Sequence, residues 1–207
     1  MKWTRFELGP VQTNAYVVTN DKRDALILDP GAESEKLFDY IERNEFNPLA
    51  VLLTHAHFDH IGALEDVRRR WQIPVYLHSR EADWLGDPEK NGSAYFPLGE
   101  VTAEAADELI RDEGELKIAS FRFEIFETPG HSPGSVSYYD REHGIVFSGD
   151  ALFAGSIGRT DLYGGDQQML LKSITEKLLT LPDDTVVASG HGPETTIGKE
   201  KRMNPFL

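Results

Sequence analysis

The sequence contains no cysteine, which excludes disulfide bonds, cysteine nucleophiles, cysteine-ligated zinc and iron–sulfur clusters. It also has no apolar run that approaches the roughly 18 residues a membrane-spanning helix needs. The first residues, MKWTRFE, carry an acid and lack the apolar core of a signal peptide. We therefore expect a cytoplasmic protein with no membrane partner.

Basic charge is scarce in this chain. It has 21 Lys and Arg residues against 35 Asp and Glu residues, which gives a formal net charge of −14. The most basic stretches, residues 68–70 and 199–202, are short and flanked by acids. Such an acidic chain repels phosphate backbones and anionic lipid surfaces, so we expect no nucleic-acid partner. The expected partner is a small molecule, and the sequence leaves the oligomeric state open.

Length and composition predict a single globular domain over residues 1–207, which is long enough to contain two related halves. Strand-like and helix-like segments alternate irregularly, and several neighbouring strands are joined by turns too short for a parallel crossover. This pattern favours a layered α/β sandwich over a strictly doubly wound sheet. The predicted strands are residues 2–8, 15–18, 25–28, 49–53, 75–77, 121–126, 136–139, 145–147 and 185–188. The predicted helices are residues 33–46, 61–71, 80–85 and 167–179.

Four of the strand-like segments end in the same way. In each, an apolar run is followed by a small or turn-forming residue and then by a histidine or an aspartate. The residues at these four ends are His55, His131, Asp150 and His191. The carboxyl ends of neighbouring strands meet at one edge of a sheet, where α/β proteins usually build their sites. We therefore expect these side chains to converge.

The first of these ends opens the hexapeptide HAHFDH, residues 55–60, which adds His57, Asp59 and His60 to the candidates. Neutral imidazole and carboxylate are good ligands for Zn, Fe(II) and Mn(II). Five histidines and two aspartates are too many for one four-coordinate ion but suit two. A single histidine is more often a surface or core residue, whereas this set predicts a metal site. His78 and His143 lack the same context.

The ligand pattern resembles the signature of the metallo-β-lactamase superfamily, T-H-x-H-x-D-H followed by a spaced His, Asp and His. Residues 128–135, TPGHSPGS, and residues 147–153, FSGDALF, are similar to segments of its glyoxalase II (hydroxyacylglutathione hydrolase) branch. Residues 155–161, residues 190–193 and the ending NPFL are similar to short bacterial members of that branch. The resemblance implies an αββα sandwich of two similar halves, with the metal site at one edge.

The resemblance also implies a role for each candidate. The ligands of one ion would be His55, His57 and His131. The ligands of the other would be Asp59, His60 and His191, and Asp150 would bridge the two ions. The implied reaction is attack of a metal-bridging hydroxide on a thioester carbonyl, with Asp59 and Asp150 counted as catalytic. We expect zinc, with iron or manganese as alternatives, and a substrate such as S-lactoylglutathione, which would yield a free thiol and a hydroxy acid.

The sequence departs from that branch in features that concern the substrate. The chain ends soon after His191, so we expect no C-terminal helical extension of the kind that helps to hold glutathione. Arg159 either binds a substrate carboxylate or forms a salt bridge within its loop. Asp161 stands where an aromatic residue is expected. Asp29, in the LDPG segment, either orients a ligand histidine or the metal-binding loop, or is a turn residue.

Other functions share this scaffold. A mononuclear non-haem iron persulfide dioxygenase needs only two histidines and one aspartate, and a lactonase is a close cousin. An RNase Z-type nuclease is disfavoured by the charge of −14, and a secreted β-lactamase by the absence of a signal peptide. The non-enzyme alternative is a metal-stabilised binding module. The sequence does not determine the thiol carrier, the acyl group or the physiological metal. It also does not determine whether the loop from Gly86 to Gly99 forms a lid.

Overall fold

The computed structural model describes all 207 residues and divides them into two compact units, Met1–Arg111 and Asp112–Leu207. Each unit contains one six-stranded mixed sheet together with helices, in line with the two halves that the sequence suggests. The single domain over residues 1–207 stays a prediction. None of the helices combines the length and the apolar character that crossing a membrane requires.

The sheet of the first unit begins antiparallel and continues parallel. Strands β1 (Lys2–Leu8), β2 (Thr13–Thr19) and β3 (Asp24–Leu28) pair antiparallel. Strands β4 (Asn47–Leu52), β5 (Val75–His78) and β6 (Glu108–Ile110) follow in that order, each parallel to its neighbour. The helices are α1 (Ser34–Arg43), α2 (Phe58–Ile61) and α3 (Leu64–Trp71). Short turns connect the antiparallel strands, whereas the parallel connections to β4 and β5 carry the helices.

The inner strands of this sheet are apolar along most of their length. All of β2 and the last three residues of β4 are buried, as expected for strands that are covered on both faces. The core of the unit adds Leu37 and Ile41 of α1 and Leu64 and Val67 of α3. This packing gives a fixed base to the carboxyl end of β4, from which the hexapeptide of predicted ligands begins.

The second unit has eight strands and two helices. In chain order these are β7 (Gly114–Ile118), β8 (Phe121–Glu127), β9 (Val136–Asp140), β10 (Ile145–Gly149), β11 (Leu152–Phe153), β12 (Ser156–Ile157), α4 (Gln167–Glu176), β13 (Val186–Ser189), β14 (Thr195–Thr196) and α5 (Ile197–Met203). Strands β11 and β12 form a separate hairpin, and the other six form one sheet in the order β14-β13-β10-β9-β8-β7. Only β10 and β13 pair parallel. Helix α4 lies in the connection between β10 and β13 and belongs to the same hydrophobic core as these two strands.

Every predicted strand is present, the first with the predicted limits and the others with slightly different ones, but two helices were predicted wrongly. The helix over residues 61–71 is divided into α2 and α3, because the N–H of Ala63 donates to the carbonyl of Pro30 at 2.9 Å and leaves the helical ladder. Gly62 lies so close to the same loop that a Cβ would come within 2.3 Å of the Gly31 carbonyl oxygen. The helix over residues 80–85 is reduced to a single 3-10 turn, Ser79–Glu81.

Helix α5 was not predicted, and it fastens the end of the chain to the β11–β12 hairpin. The buried carboxylate of Glu200 accepts hydrogen bonds from Thr195 Oγ1 at 2.5 Å, Gly155 N at 2.8 Å and Asn204 Nδ2 at 2.9 Å. The Asn204 amide also donates to the Ser156 carbonyl at 3.0 Å. The asparagine of the NPFL ending therefore has a structural role next to the loop that follows β10.

Candidate metal centre

Four of the predicted ligands follow β4 in the first unit. The chain leaves this strand at Leu53, and His55, His57, Asp59 and His60 lie in the next turn and in α2. The three histidines are buried. The ring centroid of His55 lies 4.8 Å from that of His57 and 4.1 Å from that of His60. The spacing of the hexapeptide thus gathers three imidazoles and one carboxylate at the end of one strand.

Asp59 is held in this cluster by a residue that the sequence analysis did not identify. Thr13, at the start of β2, donates from Oγ1 to Asp59 Oδ2 at 2.7 Å. The same carboxylate oxygen lies 3.6 Å from Nε2 of His60. Thr13 and Asp59 are 46 positions apart, and no local pattern marks the threonine. The contact fixes the carboxylate beside the histidine.

Asp29, which is buried after β3, contacts the residue that precedes His55. Its carboxylate accepts the Thr54 N–H at 2.8 Å and the Thr54 hydroxyl at 2.7 Å. Because that hydroxyl gives its one proton to Asp29, its oxygen can accept from His55 Nδ1, which lies 3.1 Å away. Asp29 Oδ2 also lies 3.1 Å from His60 Nδ1. Both Nδ1 atoms therefore face this group, which leaves the two Nε2 atoms for a metal.

We expect Asp29→Asn to weaken metal binding about 10- to 100-fold, the usual effect of losing a partner that orients a ligating histidine. An amide has one acceptor atom where the carboxylate has two, and its NH₂ group would face either Thr54 or His60. Calorimetric titration of the metal-free protein with Zn²⁺ measures the affinity. The control is Asp39→Asn, which removes an exposed pair with Arg43 on α1. Equal losses in the two variants would contradict the orienting role.

A buried glutamate supports the same loop, and no sequence motif indicates it. Glu81 is fully buried, and its Oε2 accepts the N–H of Ala56 at 2.7 Å. The ring of Trp84 lies 5.7 Å from that of His57, centroid to centroid. His78 is buried and caps the 3-10 turn that carries the glutamate. The loop that carries the predicted ligands is therefore supported by side chains that are distant from it in the sequence.

The remaining predicted ligands lie together in the second unit. Asp150 follows β10 and His191 follows β13, and because these strands pair parallel, both residues leave the sheet at the same edge. The Gly190 N–H donates to the Gly149 carbonyl at 2.8 Å where the strands end. Asp150 Oδ2 lies 3.4 Å from His191 Nε2 and 3.6 Å from His131 Nε2. One carboxylate oxygen thus faces two imidazoles.

His131 is oriented by a backbone carbonyl. Its Nδ1 lies 2.7 Å from the carbonyl oxygen of Arg159. A carbonyl can only accept, so Nδ1 carries the proton and Nε2 is left as the ligand atom. Gly158 makes this approach possible, because a Cβ there would lie 1.9 Å from the Asp150 carbonyl oxygen and 3.3 Å from the His131 Cβ.

The side chain of Arg159 is engaged within its own loop. Its Nε and one terminal nitrogen donate to the two carboxylate oxygens of Asp161 at 2.7 and 2.8 Å. Both side chains are exposed to solvent. The loop salt bridge that the sequence left open is therefore present. Binding of a substrate carboxylate by Arg159 stays a prediction.

This ion pair is expected to lower the pH at which the Asp161 carboxyl titrates. The hydrogen bond from Arg159 lowers the pKa of the Asp161 carboxyl from 3.8 to about 2. A carboxyl whose folded-state pKa is lowered stabilises the fold above its unfolded value, and that stabilisation is lost as the pH falls through the folded value. We expect NMR of the Asp161 carboxyl carbon to show a midpoint near 2, and Arg159→Ala to move it toward 3.8. A midpoint near 3.8 in the unmodified protein would contradict the pair.

All seven predicted ligands belong to groups of histidine and aspartate residues that could hold a metal ion. His143 is outside these groups, and its Nδ1 lies 3.1 Å from the Asp140 carboxylate in the turn after β9. Imidazole nitrogen and carboxylate oxygen, with no thiolate, fit a divalent ion such as Zn, Fe or Mn. The donor set therefore supports divalent metal binding and leaves the identity of the metal open.

Known proteins match the chain over nearly all of its length. The model of the metallo-beta-lactamase superfamily matches residues 8–191. The probable metallo-hydrolase YqgX of Bacillus subtilis is 58% identical over 207 residues, which cover 100% of this chain and 98% of the relative. The hydroxyacylglutathione hydrolase GloC of Haemophilus influenzae is 40% identical over 97% of both chains.

Two crystal structures are similar over the whole chain. BLEG-1, a B3 metallo-beta-lactamase, is 55% identical with a TM-score of 0.98, and the match covers 100% of this chain and 99% of BLEG-1. TTHA1623 in a di-iron-bound form is 41% identical with a TM-score of 0.86, and the match covers 99% of this chain and 100% of TTHA1623. The predicted fold class is thereby confirmed.

Proposed function

Since the chain belongs to the metallo-beta-lactamase superfamily, we propose that it is a binuclear metal-dependent thioesterase. It would cleave the thioester of a low-molecular-weight thiol, such as S-lactoylglutathione, to the free thiol and a hydroxy acid. The observation that carries the proposal is the presence of two histidine–aspartate clusters in which His55, Asp59 and His131 are oriented by neighbouring hydrogen-bonding groups. The 40% identity to a hydroxyacylglutathione hydrolase supports a thioester as the substrate.

The proposal assigns every predicted ligand to one of two ions. His55, His57 and His131 would hold the first ion. Asp59, His60 and His191 would hold the second, and Asp150 would be shared between them. When bound, such ions supply a Lewis acid for the carbonyl oxygen and a water of lowered pKa that is nucleophilic at neutral pH.

The chain's own contribution is to hold the ligand atoms in place before substrate arrives. Asp29, through Thr54, orients His55, and the Arg159 carbonyl orients His131. Thr13 restrains Asp59. A site whose ligands are fixed by such contacts loses little energy to reorganisation during the reaction.

A thioester suits this site better than an amide does. Hydrolysis adds the oxygen of water to the acyl carbon and breaks the C–S bond. A thiol with a pKa of about 8.5 leaves as the thiolate, whereas an amine must be protonated as it leaves. Asp29, Asp59 and Asp150 all have ligand or orienting roles in this proposal, so none of them is assigned as the acid that an amide would need.

Zinc is the proposed metal, and iron and manganese fit the same donor set. The likeness to TTHA1623 in its di-iron-bound form supports two ions and makes iron the first alternative. A cytoplasmic location and a small-molecule thioester as the partner are part of the same proposal.

β-Lactam hydrolysis is the second candidate, and the 55% identity to BLEG-1 favours it. The opening of a β-lactam also adds water to a strained carbonyl, so the same ligand set would serve. The persulfide dioxygenase, the lactonase and the non-catalytic binding module share the scaffold. Activity assays on different substrates distinguish them from a thioesterase.

The experiment compares substrates on one metal-loaded sample. The substrates are S-D-lactoylglutathione and its dimethyl ester, a chromogenic β-lactam, a lactone, and glutathione persulfide with an oxygen electrode. We expect kcat/KM above about 10⁴ M⁻¹s⁻¹ for at least one thioester, abolished by chelation and restored by metal. Faster β-lactam or lactone cleavage would overturn the thioesterase proposal. Oxygen uptake at one iron per chain would indicate the dioxygenase, and no turnover at full metal loading would indicate the binding module.

A further inference from the structure

The β11–β12 hairpin lies among the three predicted ligands of the second unit. It follows the turn that contains Asp150. The ring of Phe153, on β11, meets the ring of His191 edge-on, with 6.0 Å between the centroids. Just past β12, the carbonyl oxygen of Arg159 lies 2.7 Å from His131 Nδ1. The position of the hairpin therefore affects all three ligands.

Contacts with β10 and between its own ends fix the base of the hairpin. The Gly158 N–H donates to the Ala151 carbonyl at 3.3 Å. The hydroxyl of Ser148, on β10, donates to the Leu152 carbonyl at 3.1 Å. These bonds close the base of the hairpin, whereas its tip at Gly155 is held by another element.

The tip is held by Glu200 of helix α5, which is buried. Its Oε2 accepts the Gly155 N–H at 2.8 Å and the Asn204 amide at 2.9 Å. The same amide donates to the Ser156 carbonyl at 3.0 Å. Helix α5 and the residue that follows it therefore contact the tip of the hairpin at two neighbouring positions.

The other oxygen of Glu200 faces the large sheet of the second unit. Oε1 accepts the hydroxyl of Thr195, on β14, at 2.5 Å. Strand β14 pairs with β13, the strand that ends before His191. One carboxylate therefore connects the tip of the hairpin to the sheet from which His191 emerges.

A buried carboxylate is a costly way to join two elements if stability is all that is required. Its removal from water is unfavourable unless hydrogen bonds replace the lost hydration, and apolar side chains in place of buried ionic groups are often as stabilising. The three partners of Glu200 all donate hydrogen bonds to it. Because hydrogen bonds are directional, the carboxylate fixes where the tip of the hairpin lies relative to β14.

We propose that Glu200 is a positioning residue for the metal centre. By fixing the tip of the hairpin against β14, it keeps the Arg159 carbonyl on His131 and the Phe153 ring on His191. The inference rests on the ligand assignment of the proposed function and adds to it a residue that acts on the ligands only through other residues.

The test measures metal binding, which does not depend on the substrate. Calorimetric titration of the metal-free protein with Zn²⁺ gives the affinity, and the visible absorption of the protein loaded with Co²⁺ reports the coordination geometry. We expect Glu200→Ala to weaken Zn²⁺ binding about 10-fold, the lower range for loss of a partner that orients ligands from outside the coordination sphere. We also expect it to change the Co²⁺ spectrum.

Leu178→Ala is the control for a general loss of stability. Leu178 is fully buried in the core of the same unit and precedes β13 in the chain, so it lies at the end of that strand opposite to His191. Truncation of such a leucine destabilises the fold without removing a contact of the hairpin. Urea unfolding establishes that this variant is no more stable than Glu200→Ala. We expect it to keep the Zn²⁺ affinity and the Co²⁺ spectrum of the unmodified protein.

Two further variants separate hydrogen bonding from folding. Glu200→Gln keeps an oxygen that can accept from Gly155 and Asn204, and its NH₂ group can donate to the Thr195 hydroxyl. We expect it to restore the affinity and the spectrum of the unmodified protein. Asn204→Ala removes one donor and keeps the carboxylate, so we expect a smaller loss of affinity in the same direction. It takes the place of Glu200→Ala if that variant does not fold.

Four results would overturn the inference. They are equal losses of affinity in Glu200→Ala and Leu178→Ala, an unchanged affinity and spectrum in Glu200→Ala, a loss in Glu200→Gln as large as that in Glu200→Ala, and, if Glu200→Ala does not fold, an unchanged affinity in Asn204→Ala. Thioester hydrolysis is followed on the same samples. An unmodified protein that binds Zn²⁺ without cleaving a thioester would defeat the proposed function and leave the positioning role of Glu200 standing.

Discussion

Replacing Asp150 with asparagine is expected to deplete metal at both proposed positions and to lower thioester hydrolysis at least about 100-fold, the effect of losing one preorganised electrostatic group. The Oδ2 atom of Asp150 faces the Nε2 atoms of His131 and His191 at 3.6 and 3.4 Å. An amide keeps the shape but lacks the negative charge that offsets two cations. Metal content by mass spectrometry and the initial rate are measured on the same sample.

His143→Ala is the matched control for this change. His143 pairs with Asp140 in a turn of the same unit and lies outside the ligand groups. We expect its metal content and rate to equal those of the unmodified protein. Equal losses in the Asp150 and His143 variants would show that the metal site is assigned to the wrong residues.

Gly158→Ala is expected to have the next largest effect, although it changes no ligand. The added Cβ would lie 1.9 Å from the Asp150 carbonyl oxygen, so the backbone that carries Asp150 or the Arg159 carbonyl must move. Forcing a methyl group into such a packed place costs about 3 kcal/mol of unfolding free energy. A shift of about 1 Å in the ligands would cost on the order of 100-fold in rate. Urea unfolding and thioester hydrolysis measure the two effects.

Gly86→Ala tests whether the effect comes from this crowding. The nearest atom to a Cβ at Gly86 is the Ala103 carbonyl oxygen at 4.0 Å, an ordinary contact. We expect stability within about 0.5 kcal/mol of the unmodified protein and an unchanged rate. A Gly158→Ala protein that keeps full stability and full activity would refute the close approach at this loop.

The candidate ligands could be identified from the sequence because the information that places them at strand ends is local. An apolar strand followed by a turn residue fixes where each ligand leaves the sheet, and parallel pairing of β10 with β13 brings Asp150 and His191 to one edge. The hexapeptide carries its three imidazoles on one turn and one short helix. Local strand and turn signals therefore predicted most strands of the two large sheets, together with the candidate ligands that follow them.

Asp29 was named from the sequence as a candidate orienting residue, but the other groups that contact the candidate ligands could not be predicted in this way. Thr13 reaches Asp59 across 46 positions, and Glu81 reaches Ala56 across 25. The group that orients His131 is the backbone carbonyl of Arg159, which no residue type reveals. Such contacts depend on how distant segments pack, and a single sequence contains no pattern for them.

Each kind of element that was missed has its own physical reason. Strand β14 has only two residues, and β6 has three, so neither is long enough for a periodic pattern. Most residues of β7 are exposed, with polar and charged side chains at an edge of the sheet. The break between α2 and α3 arises from the Pro30 carbonyl, a contact outside the helix.

The most direct test of the central claim is a titration of the metal-free protein with Zn²⁺, followed as the rate of thioester hydrolysis. The account predicts negligible hydrolysis without metal and a rate that rises until two ions are bound per chain and then stays constant. A rate that saturates at one ion per chain would contradict the binuclear site. A protein that binds two ions and does not hydrolyse the thioester would contradict the proposed thioesterase activity.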